Sequence, residues 1–125
     1  IHVYVPIEHG PKQKEVWQVA KDVATQIAGD HPALMTAAYR KADRPPGRVL
    51  IDYNQNRWGA TLAGVYTIRP VPEATVSTPV TWDEIDAGFA LTDFHIGTVR
   101  ERIARIGDLW TPTLPGSAGR FVLSD

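Results

Sequence analysis

A short apolar run in the middle of the chain constrains the fold more than any other feature of the sequence. The run Val49–Ile51 follows Pro45, Pro46 and Gly47 and ends at Asp52. Aliphatic residues bounded by turn-forming residues are typical of a buried strand. We therefore predict a strand at residues 48–53, with Asp52 near its end and a polar turn at residues 54–59.

Helical patterns lie on both sides of this strand. Apolar residues recur at helical spacing at residues 12–28, so we predict a helix there that stops at Gly29. Thr81 and Glu84 match a capping box, which predicts the start of a short helix. A third helix is predicted at residues 98–106. We expect its arginines to point outward: Arg100, Arg102 and Arg105.

The remaining β-prone segments complete the predicted architecture. Alternation at residues 1–5 predicts a strand, residues 62–68 are also β-prone, and residues 33–39 suit either a short strand or a short helix. Residues 40–47 are predicted to form an exposed loop. Since strands and helices do not alternate strictly, we predict an α+β fold with a mixed or antiparallel sheet and flanking helices.

Length and termini suggest how the chain is organised. The 125 residues suit one domain or a piece of one. Because the chain opens in a predicted strand without an initiator Met, we expect an upstream neighbour. We assign residues 1–114 to one domain portion and residues 115–125 to a loosely ordered tail.

Composition excludes several classes of site and protein. Cysteine is absent, which excludes disulfides, thiolate metal sites and cysteine nucleophiles. The sequence has neither a signal-peptide pattern nor an apolar run of about 20 residues, so we expect a soluble cytoplasmic protein without a membrane partner. Phosphate-binding loops of the common glycine-rich types are also missing.

Charge is balanced overall but not along the chain. The net charge is −1, yet cations outnumber acids at residues 40–69. This segment, called here the basic stripe, contains Arg40, Lys41, Arg44, Arg48, Arg57 and Arg69. Such a stripe suits either phosphate binding or an ordinary solvated face.

Four residues are candidates for a functional site. Asp52 at a strand end suits a hard cation such as Mg²⁺ or Mn²⁺, although an aspartate there also caps turns. Arg69 offers a planar fork for phosphates, and Gln55 is able to hydrogen-bond a phosphate or a sugar. His2 suits a phosphate or metal contact, with a structural histidine as the alternative. Arg69 and Gln55 likewise suit ordinary surface positions.

Five segments give the chain a family resemblance. They are Ile1–Pro6, Gly47–Asn56, Tyr66–Pro70, Val80–Glu84 and Ile106–Trp110. On these segments the chain resembles the polymerase domain of bacterial DNA ligase D and its stand-alone relatives. This family belongs to the archaeo-eukaryotic primase superfamily and acts in bacterial non-homologous end joining. The likeness covers residues 1–114 and implies part of a primase-polymerase catalytic core.

The resemblance implies roles for the four candidates. Asp52 is similar to the family's third metal-ligand aspartate, and Gln55 and Arg69 are similar to residues that contact the nucleotide triphosphate. His2 falls at the histidine of the family's second motif. The family uses a divalent metal, commonly Mn²⁺, to add NTPs or dNTPs to DNA primer ends, and its partners are Ku and a DNA ligase.

Departures from the family pattern limit what the segment can do alone. The family's paired metal aspartates lie upstream of the histidine motif and are absent here, so we expect this segment by itself to be inactive. Pro45 and Pro46 intervene where the family often has a cation, which leaves the equivalence of Arg44 open. The alternative hypothesis is a non-catalytic nucleic-acid-binding module that uses the basic stripe, with Trp58 and Tyr53 stacking on bases.

Overall fold

The computed structural model describes residues 1–117 and 119–123 of the chain. The described part contains three α-helices and two short strands: α1 (Gln13–Asp30), β1 (Met35–Thr36), β2 (Val49–Leu50), α2 (Trp82–Ala87) and α3 (Ile96–Ile106). Four 3-10 turns accompany them: Lys41–Asp43, Tyr53–Asn56, Leu91–Asp93 and Thr111–Thr113. This composition confirms the predicted α+β class.

The chain divides into two units. The helix–strand unit comprises Ile7–Leu62 and Phe121–Asp125, and it holds α1, β1 and β2. The two-helix unit comprises Ile1–Pro6 and Ala63–Arg120, and it holds α2 and α3. None of the helices in the described ranges is long and apolar enough to cross a membrane.

Helix α1 extends slightly further than its sequence pattern predicts. Gly29 was predicted to stop it, but the helix continues through Asp30, and the His31 amide still donates to the Ile27 carbonyl at 3.0 Å. A glycine within the last turn costs a helix only about 1 kcal/mol, whereas Pro32 cannot continue it. Ala24 is buried on the apolar face of the helix.

The two strands pair in parallel. Met35 lies opposite Val49 and Thr36 opposite Leu50, and the Ile51 amide donates to the Thr36 carbonyl at 2.9 Å. The ambiguous segment at residues 33–39 therefore contributes a strand. The predicted strand at residues 48–53 is shorter than expected, because the Asp52 side chain starts a 3-10 turn directly after Ile51.

Two of the predicted β segments do not form strands. Residues 1–5 are exposed and pair with no other segment of the described chain. An extended segment without a partner leaves its backbone groups to water, so alternation alone does not make a strand. At residues 62–68 the pairing is limited to an isolated antiparallel bridge between Ile68 and Val76.

The two helices of this unit begin and end as local chemistry dictates. The Thr81 hydroxyl oxygen accepts from the Glu84 amide at 3.2 Å, and the Glu84 carboxylate accepts from the Thr81 amide at 2.8 Å. This confirms the predicted capping box of α2. Gly107 ends α3 with φ 81°, a left-handed conformation that favours glycine.

The prediction that Arg102 points outward is wrong. Its side chain is 10% exposed, and its guanidinium donates to both carboxylate oxygens of Glu84 and to the Pro79 carbonyl. Arg102 follows the buried Val99 by three residues, so both lie on one helix face. Hydrophobic periodicity identifies only the apolar residues of a helix face. It does not indicate that a charged residue such as Arg102 is buried on that face by an ion pair.

The predicted tail at residues 115–125 stays a prediction. Ala118, Ser124 and Asp125 lie outside the described residues. Within the described part of the tail, the Phe121 carbonyl accepts from the Glu8 amide at 2.8 Å.

Candidate functional site

The Asp52 carboxylate stands at the point where β2 gives way to a 3-10 turn. Its Oδ1 accepts from the Asn54 amide at 3.0 Å, and its Oδ2 accepts from the Gln55 side-chain Nε2 at 3.0 Å. Asp52 is exposed, whereas Gln55 is half-buried. The turn thus brings two of the four predicted site residues together and orients the carboxylate.

Helix α1 supports this turn from behind. The Trp17 indole Nε1 donates to Asn54 Oδ1 at 3.1 Å, and the Gln13 side chain donates to the Asn56 carbonyl at 2.8 Å. The Trp17 and Tyr53 rings meet edge to face at 5.7 Å. The sequence pattern assigned Tyr53 a possible stacking role, but its ring is half-buried against Trp17.

The donor set at Asp52 suits one oxygen ligand of a hard cation. Each carboxylate oxygen has accepted one hydrogen bond, which leaves it a further lone pair. Among residues 1–117 and 119–123, no group of three or more His, Asp or Glu side chains comes together as a metal site. Asp52 therefore fits a divalent metal as a single ligand that needs further carboxylates.

Arg69 lies in a hairpin of the two-helix unit. Its amide donates to the Thr75 carbonyl at 2.7 Å, and its carbonyl accepts from the Val71 amide at 2.8 Å. Arg69 is an exposed residue. The backbone of Arg69 is thus held on both sides while the side chain faces solvent, where it suits an anionic group.

A tyrosine at the base of this hairpin was not singled out from sequence. Tyr66 has φ 60°, and its hydroxyl donates to the Asp108 carboxylate at 2.5 Å. Burial, followed by the bond to Asp108, raises the pKa of Tyr66 to about 12. The same bond lowers the pKa of Asp108. Both residues lie in segments that carry the family resemblance, and this was the only feature of the sequence that pointed to them.

His2 lies in the exposed opening segment of the two-helix unit. Its ring meets that of Tyr4 edge to face at 6.0 Å, as expected from the two residues sharing a face. Tyr4 in turn packs on Trp110 at 4.8 Å. A contact of His2 with a phosphate or a metal stays a prediction.

The basic stripe is partly structural. Arg44 donates to the carbonyls of Ala38 and Tyr39 at 3.0 and 2.6 Å, and Arg48 donates to the Pro32 carbonyl at 2.8 Å. These two guanidinium groups fasten the loop that leads into β2. Two of the six cations of the basic stripe therefore bind backbone carbonyls of the chain itself.

Comparison with known proteins places the chain in a family. The model of the LigD primase-polymerase domain matches residues 1–110. The chain is 35% identical over 109 residues to the multifunctional non-homologous end joining DNA repair protein LigD of Mycobacterium tuberculosis, covering 87% of this chain and 14% of that protein. The chain is 34% identical over 112 residues to the LigD protein of Mycolicibacterium smegmatis. This match covers 90% of this chain and 14% of that protein.

A solved structure agrees with these sequence matches. The chain is similar to the polymerase domain of Mycobacterium tuberculosis ligase D in complex with DNA, with a TM-score of 0.77 and 32% identity. The likeness covers 86% of this chain and 37% of that one. The chain thus spans about a seventh of the curated relatives and over a third of the solved domain. It belongs to the LigD primase-polymerase domain family.

Proposed function

We propose that this chain supplies one metal-ligand carboxylate and part of the triphosphate pocket of a nucleotidyltransferase that adds NTPs or dNTPs to DNA primer ends. The observation that carries the proposal is the oriented, exposed carboxylate of Asp52, held by Asn54 and Gln55 at the end of β2. Membership of the LigD primase-polymerase family supports the class of reaction.

Asp52 would hold the divalent metal, Mn²⁺ or Mg²⁺, together with carboxylates from outside this chain. When bound, the metal neutralises the triphosphate and orients the groups that react. The two donors to Asp52 restrict how its carboxylate turns, so that a lone pair of each oxygen stays available. A single carboxylate does not hold two metal ions, so the segment alone is expected to be inactive.

Gln55 and Arg69 would contact the nucleotide. The Gln55 amide uses one N–H on Asp52 and carries a second that suits a phosphate or sugar oxygen. Arg69 presents a fork of N–H donors that matches phosphate geometry. His2 would contact a phosphate.

The end-joining context is part of the proposal. The matched relatives are named as end-joining repair proteins, and the solved neighbour is named as a complex with DNA. DNA ends are accordingly the proposed polymer substrate. Partnership with Ku and with a DNA ligase, which the family resemblance implies, stays a prediction.

Primer extension with Mn²⁺ tests the proposal in a protein that joins this chain to the rest of a primase-polymerase domain. Asp52→Asn keeps the size of the side chain, removes the charge and leaves one acceptor oxygen in place of two. We expect extension to fall by at least about a hundredfold, as for loss of a charge-stabilising group in an active site. Asp22→Asn is the matched control, because Asp22 also accepts from a glutamine, Gln18, at 2.9 Å. Activity that survives Asp52→Asn would refute the assignment.

A further inference from the structure

A groove runs beside the Asp52 turn within the helix–strand unit. It has a volume of about 330 Å³ and lies between the first turns of α1 and the residues that follow the 3-10 turn. The groove is lined by Gln13, Lys14, Trp17, Arg57 and Trp58. None of the four predicted site residues is part of this lining.

Two lining residues of the groove hydrogen-bond to the turn that carries Asp52 and Gln55. Trp17 reaches Asn54 through its indole N–H, and Gln13 reaches the Asn56 carbonyl. Lys21 lies over the Trp17 ring at 5.4 Å, so one face of that indole already has a cation. Trp17 therefore serves as a fixed wall of the groove.

Trp58 is the ring that remains open. Its side chain is 86% exposed, although a large aromatic residue gains most from being covered. The preceding residue, Arg57, ends the 3-10 turn, so Trp58 follows the Asp52 turn directly. An exposed indole in the lining of a groove offers a flat face to a planar partner.

Charge indicates what that partner is. The ionisable groups of the lining are Lys14 and Arg57, both cations, and no carboxylate lines the groove. A polymer with planar apolar bases and an anionic backbone complements such a surface. In a duplex the base faces are stacked on one another, so a single strand is the form that presents them.

A second exposed tryptophan shows that exposure alone is not the argument. Trp82 is 73% exposed in the two-helix unit, but it is followed directly by the exposed carboxylate of Asp83 in the first turn of α2. An anionic backbone is disfavoured there. The chain thus contains its own internal control for the role of Trp58.

We infer that the groove of Lys14, Trp17, Arg57 and Trp58 binds a single-stranded segment of DNA, with a base stacked on Trp58 and phosphates beside Lys14 and Arg57. The choice of DNA as the occupant rests on the proposed function. The site places an unpaired strand next to the turn that carries Asp52. It thereby adds a polymer contact distinct from the nucleotide contacts proposed for Gln55 and Arg69.

Fluorescence anisotropy with a labelled oligothymidylate of about 15 nucleotides, without metal or nucleotide, tests this inference. The whole protein that carries this chain is used. Trp58→Ala is expected to weaken binding about tenfold, Trp58→Phe to retain most of it, and Trp82→Ala to leave it unchanged. Lys14→Ala and Arg57→Ala should each lower the salt dependence by about 0.7 in the logarithmic slope. Equal thermal midpoints show that the variants are folded.

Several results would overturn the inference. These are unchanged affinity in Trp58→Ala, an equal loss in Trp82→Ala, tighter binding of a matched duplex, or a preference for oligouridylate over oligothymidylate. Asp52→Asn separates this inference from the proposed function, since it should lower primer extension by at least about a hundredfold and leave metal-free binding of the strand unchanged. Primer extension that survives Asp52→Asn would refute the proposed function. The role of Trp58 is tested separately, by the binding measurements alone.

Discussion

Replacing Glu84 by glutamine should destabilise the two-helix unit in a way that depends on pH. Glu84 accepts from both terminal nitrogens of Arg102, and its side chain is 32% exposed against 10% for Arg102. Glutamine keeps the shape of the capping box, in which a Gln is as suitable as a Glu. The substitution removes the charge of the ion pair, and it also leaves one acceptor oxygen where the carboxylate offered two.

The size of the effect follows from the pKa of Glu84. The hydrogen bonds from Arg102, and after them the bond from the Thr81 amide, lower this pKa from 4.5 to about 2, against the opposing effect of burial. At about 1.4 kcal/mol per pKa unit, the shift sets an upper bound of about 3.5 kcal/mol. Because a third of the Glu84 side chain reaches solvent, which screens the pair, we expect about 2 kcal/mol at pH 7.

The pH dependence has a definite sign. A carboxyl group whose pKa is lower in the folded state stabilises the fold when it is ionised. The contribution of Glu84 is complete above pH 5 and is lost as the pH falls from 4.5 to about 2. The difference between the wild type and Glu84→Gln should shrink over the same interval.

Denaturant unfolding at pH 7 and at pH 2.5 measures this difference. Glu101→Gln is the control, because Glu101 is an exposed carboxylate on α3. We expect it to change the free energy of unfolding by less than about 0.5 kcal/mol at either pH. An equal loss for Glu84→Gln at both pH values would refute an electrostatic origin, and a loss no larger than that of the control would refute the ion pair itself.

Two further predictions concern the hairpin that carries Arg69. Since the pKa of Tyr66 is raised to about 12, ultraviolet titration should show a phenol that ionises near pH 12, and Asp108→Asn should lower this pKa toward 10. A titration unchanged in Asp108→Asn would contradict the contact. The hydrogen bond from Tyr66 contributes fully to stability below pH 10, and this contribution is lost as the pH rises from 10 to about 12. Ala74 has φ 44°, so Ala74→Gly should stabilise the fold by about 1 kcal/mol. The control Ala87→Gly, in helix α2, should destabilise the fold by a similar amount. A lowered thermal midpoint in Ala74→Gly would argue against backbone strain at this position.

Local chemistry made several features predictable from sequence. The capping box joins Thr81 and Glu84, three residues apart, and the candidate site joins Asp52 and Gln55, also three residues apart. Partners this close along the chain meet whenever the backbone takes up a turn or the start of a helix, so residue type and spacing suffice. The α+β class followed in the same way from helical and strand periodicity.

The tertiary structure alone decided which distant residues meet. Arg102 and Glu84 are 18 residues apart, and Tyr66 and Asp108 are 42 apart. Whether such groups face each other depends on how elements pack, which neither periodicity nor charge pattern records. For the same reason the extended residues 1–5 did not become a strand, because a strand requires a partner and not only an alternating pattern. The sequence by itself thus determined the position of Asp52 and of the turn that follows it. Packing decided that α1 supports this turn, beside which Trp58 is exposed within the described part of the chain.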